Sequence, residues 1–147
     1  FRDTSLQKIE AQLEGIMEMF NGLSEETADI KAVYVQNSHL EASGTISIAK
    51  ACYNSTLVAG RGIAMKEGTF RGGKMTVNRG NIVAGELGSP NEAQTLVFIL
   101  KGGLIRAGTV HPNVRVVIGR EARLFTERME RVTMFVDREG QLHVNQS

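Results

Sequence analysis

Apolar residues in the middle of this chain come in pairs separated by one position, and the pairs recur at an almost constant interval. SHLEASGTISI begins at Ser38, STLVAGRGIAM at Ser55 and, more loosely, GKMTVNRGNIV at Gly73, steps of 17 and 18 residues. In each copy one alternating pair precedes a small or glycine-rich turn and another follows. Leu40 and Ala42 lead to Ile46 and Ile48, Leu57 and Ala59 to Ile63 and Met65, and Met75 and Val77 to Ile82. Period-two alternation is the mark of a half-buried strand. A repeat of roughly 20 residues suits one rung of a solenoid, in which no rung buries its own apolar face but stacking buries all of them. The pattern therefore predicts a single-stranded β-helix, mainly β, with a right-handed coil as the working expectation.

Outside the repeats the periodicity changes. Leu6, Ile9, Leu13, Ile16, Phe20 and Leu23 are spaced alternately by three and four, a heptad seam, with Thr4 and Gln7 at capping-box spacing in front of it. A helix from about Ser5 to about residue 28 would be about 35 Å long. Glu10, Glu14 and Glu18 lie off the seam. A lone helix has nowhere to bury six such side chains, each worth about 1.5–3 kcal/mol. A partner helix is expected, from an upstream segment or from a second protomer in a homodimer. After the repeats, TLVFIL, GLIRAG and NVRVVIG supply further strands, and RVTMFVDREGQLHV reads as a hairpin turning at Asp137 to Gly140 that covers the last rung. The expected organisation is a coiled-coil helix over 1–30, a β-helix over 31–120 and capping strands over 121–147.

Composition narrows the function classes. Sixteen glycines against two prolines, no Trp and 5% aromatic residues fit a core of small aliphatic side chains with tight turns, and offer little for stacking nucleic-acid bases. The single cysteine, Cys52, excludes an internal disulfide and a multi-cysteine metal site, and reads as a small buried hydrophobe in a reducing, cytoplasmic setting. No apolar run is long enough for a membrane span, and no signal peptide is evident. The chain begins at Phe1 inside an amphipathic pattern, which suggests a piece of a longer protein.

A net charge of +1 conceals segregation: residues 1–43 carry −5, residues 44–120 carry +7 and residues 121–147 carry −1. Arg61, Lys66, Arg71, Lys74 and Arg79 form the strongest polar feature and are the candidate partner-binding residues, set against the plainer reading of a solvated face. A protein partner is expected rather than nucleic acid. His39, His111 and His143 are scattered, with no paired spacing and no neighbouring carboxylate that suggests a metal or triad site. The eight glycines from Gly60 to Gly88 match neither a P-loop nor a dinucleotide fingerprint. No catalytic, cofactor-binding or metal-binding residue is assigned. One enzyme class has some support: stepping by six from Leu40 through Ile46, Cys52, Val58, Ala64, Phe70 and Thr76 partly imitates the hexapeptide β-helix of acyltransferases.

The heptad segment, then VYVQNSHLEASGTISI, then CYNSTLVAGRGIAMKEGTFRGGKMTVNRGNIVAGELGSP and HPNVRVVIG together resemble the C-terminal part of the flagellar assembly protein A family, most specifically from Gly68 to Pro90. The resemblance implies a β-helix joined to a coiled coil, similar to the C-terminal domain of the division inhibitor MinC, a dimeric protein-binding module. It implies a non-enzymatic cytoplasmic factor in bacterial flagellar assembly or cell-pole organisation, with no catalytic residues to carry over. The expected role is a scaffold for protein interaction, and the alternative is a self-assembling β-helix of the bactofilin kind.

Overall fold

A computed structural model describes residues 27–91 and 94–147. The expected N-terminal helix and its seam, Leu6 to Leu23, lie outside the described residues.

The described chain is a β-solenoid of five coils closed by reversed strands. The first coil comprises β1 (Ile30–Gln36) and β2 (His39–Ala42); the second is β3 (Thr45–Ala59) and the third β4 (Gly62–Val77). The fourth comprises β5 (Asn81–Leu87) and β6 (Thr95–Ile99), and the fifth β7 (Leu104–Val110) and β8 (Val114–Ile118). Every contact between successive coils is parallel: β1 and β2 on β3, β3 on β4, β4 on β5 and β6, β5 on β7, and β6 on β8. Register shifts inside the long strands bend each coil, giving three faces. The first face runs from Ile30 through Ile46, Ile63 and Ile82 to Ile105, and the third from Leu40 through Leu57, Met75 and Val97 to Val116. Between them, Val35, Cys52, Phe70, Leu87 and Val110 stack on the second. Nearly all of these side chains are fully buried, so the paired apolar positions of the repeat form one continuous core.

Two corner devices hold the coils in register. At the corner between the second and third faces, Asn37, Asn54, Gly72 and Asn113 all take left-handed backbone angles, with φ of 52°, 50°, 66° and 67°. Asn tolerates that region better than other residues with a side chain. The next position carries Ser38, whose backbone N–H donates to Ser55 Oγ one coil on at 3.1 Å, while Gly72 donates to Thr95 Oγ1 at 3.0 Å. Ser38 and Ser55 are thus joined across successive coils, whereas Thr69 lies opposite Ala51 and Glu86. Of the six-residue register, Leu40, Ile46, Cys52 and Phe70 point into the core, but Val58, Ala64 and Thr76 point outward, so the hexapeptide arrangement is not realised.

After the fifth coil the direction reverses. β9 (Glu121–Leu124) pairs antiparallel with β8 through a turn at Gly119 and Arg120, and β10 (Met129–Val136) pairs antiparallel with β7. β11 (Leu142–Gln146) returns on β10 as a hairpin. Val132 and Met134 are fully buried, and Phe125 closes the end of the core. In the hairpin turn, Asp137 Oδ1 accepts from the backbone N–H of Glu139 and of Gln141, both at 2.9 Å. The His143 hydrogen bond and that of the Gln141 amide hold the Asp137 carboxyl below its usual range.

Candidate basic interface and its surroundings

The register decides which charges share a surface. Ala59, Val77, Ile99 and Ile118 occupy the same place on successive coils, so Arg61, Arg79 and Lys101, each two positions on, turn the same corner, and Arg120 follows Ile118 in the adjoining turn where the chain reverses into β9. This corner lies between the third and first faces. Backbone bonds fix it: Arg61 N–H donates to Gly44 O at 3.0 Å, Arg79 to Gly60 O at 3.2 Å and Lys101 to Asn78 O at 2.8 Å. All four side chains are exposed, and among the described residues none forms an ion pair. Strands stack about 4.8 Å apart, so Arg61, Arg79 and Lys101 span about 10 Å. Around Arg61, Arg79 and Lys101 the chain neighbours on the corner are the small or neutral Gly60, Gly62, Asn78, Asn81 and Gly102, while Glu121 and Asp137 line a pocket with Lys101 and Arg120. Leu100, 54% exposed, stands beside Lys101.

The five cations singled out by sequence do not form one patch. Arg61 and Arg79 belong to the ridge. Lys66 lies at the corner between the first and second faces, Arg71 on the second face and Lys74 on the third. Arg71 places its guanidinium 5.1 Å from the Tyr53 ring centroid on the preceding coil, and its Nε is buried with no hydrogen-bond partner among the described residues. Lys74 Nζ lies 5.3 Å from the Phe98 centroid. Both therefore also serve packing between coils. Linear spacing could not find Lys101 and Arg120, because the coil lengthens after Val77 and Lys101 falls 22 residues after Arg79.

The histidines correct the sequence reading, since each is hydrogen-bonded to a carboxylate. His39 Nε2 pairs with Glu41 Oε1 at 2.8 Å, and His143 Nε2 with Asp137 Oδ2 at 2.7 Å. His111, 5% exposed, pairs with Glu86 on the coil before it, and Glu86 also accepts from Thr69 Oγ1 at 3.4 Å. Twenty-five residues separate Glu86 from His111, and only the coil step brings them together. The three pairs lie apart, and among the described residues no group of three or more His, Cys, Asp or Glu is placed to hold a metal ion. Cys52 is fully buried, and burial pushes its thiol up to about 12. That thiol is not a nucleophile at neutral pH. Among the described residues no helix is long and apolar enough to cross a membrane.

The family model of the flagellar assembly protein A β-solenoid domain matches residues 25–103, more than half of the chain. The chain belongs to the flagellar assembly protein A family. The match covers the first four coils, ending at the step into β7, and includes Arg61, Arg79 and Lys101 of the ridge but not Arg120. No curated protein and no solved structure matches the chain.

Proposed function

We propose that this solenoid is a non-catalytic cytoplasmic scaffold in bacterial flagellar assembly or cell-pole organisation, which docks an acidic segment of a protein partner along the Arg61, Arg79, Lys101 and Arg120 ridge. The observation that carries the reading is one cation at each of three successive passes of the corner, Arg61, Arg79 and Lys101, two positions past Ala59, Val77 and Ile99, with Arg120 in the adjoining turn. An isolated surface charge contributes little, but a row of like charges creates a field that raises the association rate and selects acidic partners. Family membership supplies the cellular setting. Pairing of the Leu6 to Leu23 seam with an upstream segment or a second protomer belongs to the same proposal, because a scaffold gains avidity by presenting two ridges together.

The test is the double charge reversal Arg79→Glu with Lys101→Glu. Flagellar or polar proteins captured on the wild-type chain should be lost from the variant and released from the wild type by moderate salt, with the melting temperature unchanged. Retention of those proteins by the variant refutes the ridge as the docking surface. Recovery of the bait alone favours the bactofilin-like alternative. Against that alternative, β9, β10 and β11 cover the last coil with reversed strands, which disfavours end-to-end stacking there.

A further inference from the structure

The corner between the first and second faces changes width abruptly. In β4, Lys66, Glu67 and Gly68 lie between the residues that pair with Ala84 and Glu86, whereas β5 spans the same corner with Gly85 alone. β7 spans it with Gly108 alone, and β10 with Arg131 alone. Three residues thus overhang a floor of two glycines. Neither glycine can gain a side chain: a Cβ would lie 2.9 Å from Gly68 O at Gly85, and 2.7 Å from Gly85 O at Gly108. The floor is therefore bare backbone, over which a ligand can approach closely.

The resulting groove has a volume of about 470 Å³, within the range of small-ligand sites. Lys66 walls one side, Arg131 the other, and Arg106 projects from β7 between them, with the Thr133 hydroxyl beside it. Val83 supplies an apolar side chain, the backbones of Ala84 and Ala107 continue the floor while their methyls point into the core, Ser147 completes the lining, and it contains no Asp or Glu. Arg131 takes a left-handed φ of 51°, unusual for a residue with a side chain. It is held by reciprocal bonds: its Nε donates to Ser147 O at 3.1 Å, and Ser147 N–H donates to Arg131 O at 3.0 Å. The strained residue is one of the three cations that face the groove.

We propose that this groove binds a small soluble phosphomonoester with an apolar body. A phosphomonoester carries close to two negative charges at neutral pH and three acceptor oxygens. Those oxygens match three cations from separate strands, while the ester group lies against Val83. The site is on a different corner from the ridge, so its failure leaves the docking proposal untouched.

The probes are phenyl phosphate, inorganic phosphate and phenol, titrated into the 15N-labelled chain. Phenyl phosphate should shift the Gly85 and Gly108 amides saturably, in the ~1 mM range or tighter. Inorganic phosphate should bind about tenfold more weakly, and phenol should leave these amides unmoved. Lys66 and Arg106 are both exposed, so Lys66→Gln and Arg106→Gln should fold normally, and each should weaken phenyl phosphate about tenfold, with Arg106→Lys retaining part of the affinity. Shifts that do not saturate, equal affinity for inorganic phosphate and phenyl phosphate, or unchanged binding in the Lys66→Gln, Arg106→Gln double variant would each overturn the proposal.

Discussion

Adjacent glycines at the ridge corner allow the stacking force to be measured in isolation. Gly102 and Gly103 both have positive φ, 137° and 148°, so alanine at either position meets a similar backbone cost of about 1–3 kcal/mol. Their surroundings differ. A Cβ at Gly102 would meet nothing within 4 Å, whereas at Gly103 it would lie 1.7 Å from the carbonyl oxygen of Gly80 on the preceding coil. Because a Cβ does not approach closer than 3.0 Å, the coils must separate there by at least about 1.3 Å. Gly80 N–H donates to Gly102 O at 2.9 Å and Lys101 N–H to Asn78 O at 2.8 Å, and a shift of that size breaks both bonds. Each lost bond that leaves a partly buried group unpaired costs about 1–3 kcal/mol. Gly103→Ala should therefore be about 2–5 kcal/mol less stable than Gly102→Ala, a difference of roughly 5–20 °C in melting temperature. Urea and thermal unfolding followed by circular dichroism measure both variants directly. If the two differ by less than about 0.5 kcal/mol, close backbone stacking at this corner does not hold the coils together.

Two further outcomes follow from the second face. Phe70 is fully buried between Cys52 and Leu87, and Phe70→Ala should cost about 3–5 kcal/mol in urea unfolding; a loss below about 1 kcal/mol would mean that the coils collapse into the space. The Cys52 thiol is raised in the fold from 9.0 to about 12, so the unfolded chain ionises first and stability should fall as pH rises from 9 towards 12, which Cys52→Ala should abolish. At pH 8 a disulfide reagent should accordingly modify Cys52 only through opening of the solenoid, at a rate that tracks denaturant concentration; rapid labelling of the native chain would contradict its burial.

The core was legible in the sequence because its rule is local. Leu40 and Ala42, then Leu57 and Ala59, are apolar pairs spaced by two, and each stacks on its counterpart one repeat later. The terminal hairpin was legible for the same reason, since Val132 and Met134 alternate in β10 and Asp137 marks the turn. Corner chemistry is half visible in the sequence: Ser38 and Ser55 open successive repeats, while no local pattern marks Asn37 and Asn54 just before them, which make the left-handed corner.

Surface chemistry was much less legible, and the cause is the uneven coil. Following Ile30 through Ile46, Ile63, Ile82 and Ile105, the step grows from 16 to 17, 19 and 23 residues, because residues are added at corners where strand pairing does not forbid them. The core tolerates these additions, since each strand re-enters in phase and still alternates inward and outward. A reader who counts along the chain does not, since every inserted residue moves a charged side chain out of the expected column. Arg71 and Lys74, three residues apart, therefore end on different faces, while Arg79 and Lys101, 22 apart, become neighbours on one ridge. Glu86 and His111 meet for the same reason, and Lys66 and Arg131 come to flank Gly85 and Gly108. In a solenoid the local alternation makes the fold, and the corner lengths decide which surface groups meet. The corners are therefore where related chains can change partners or ligands at little cost to the core.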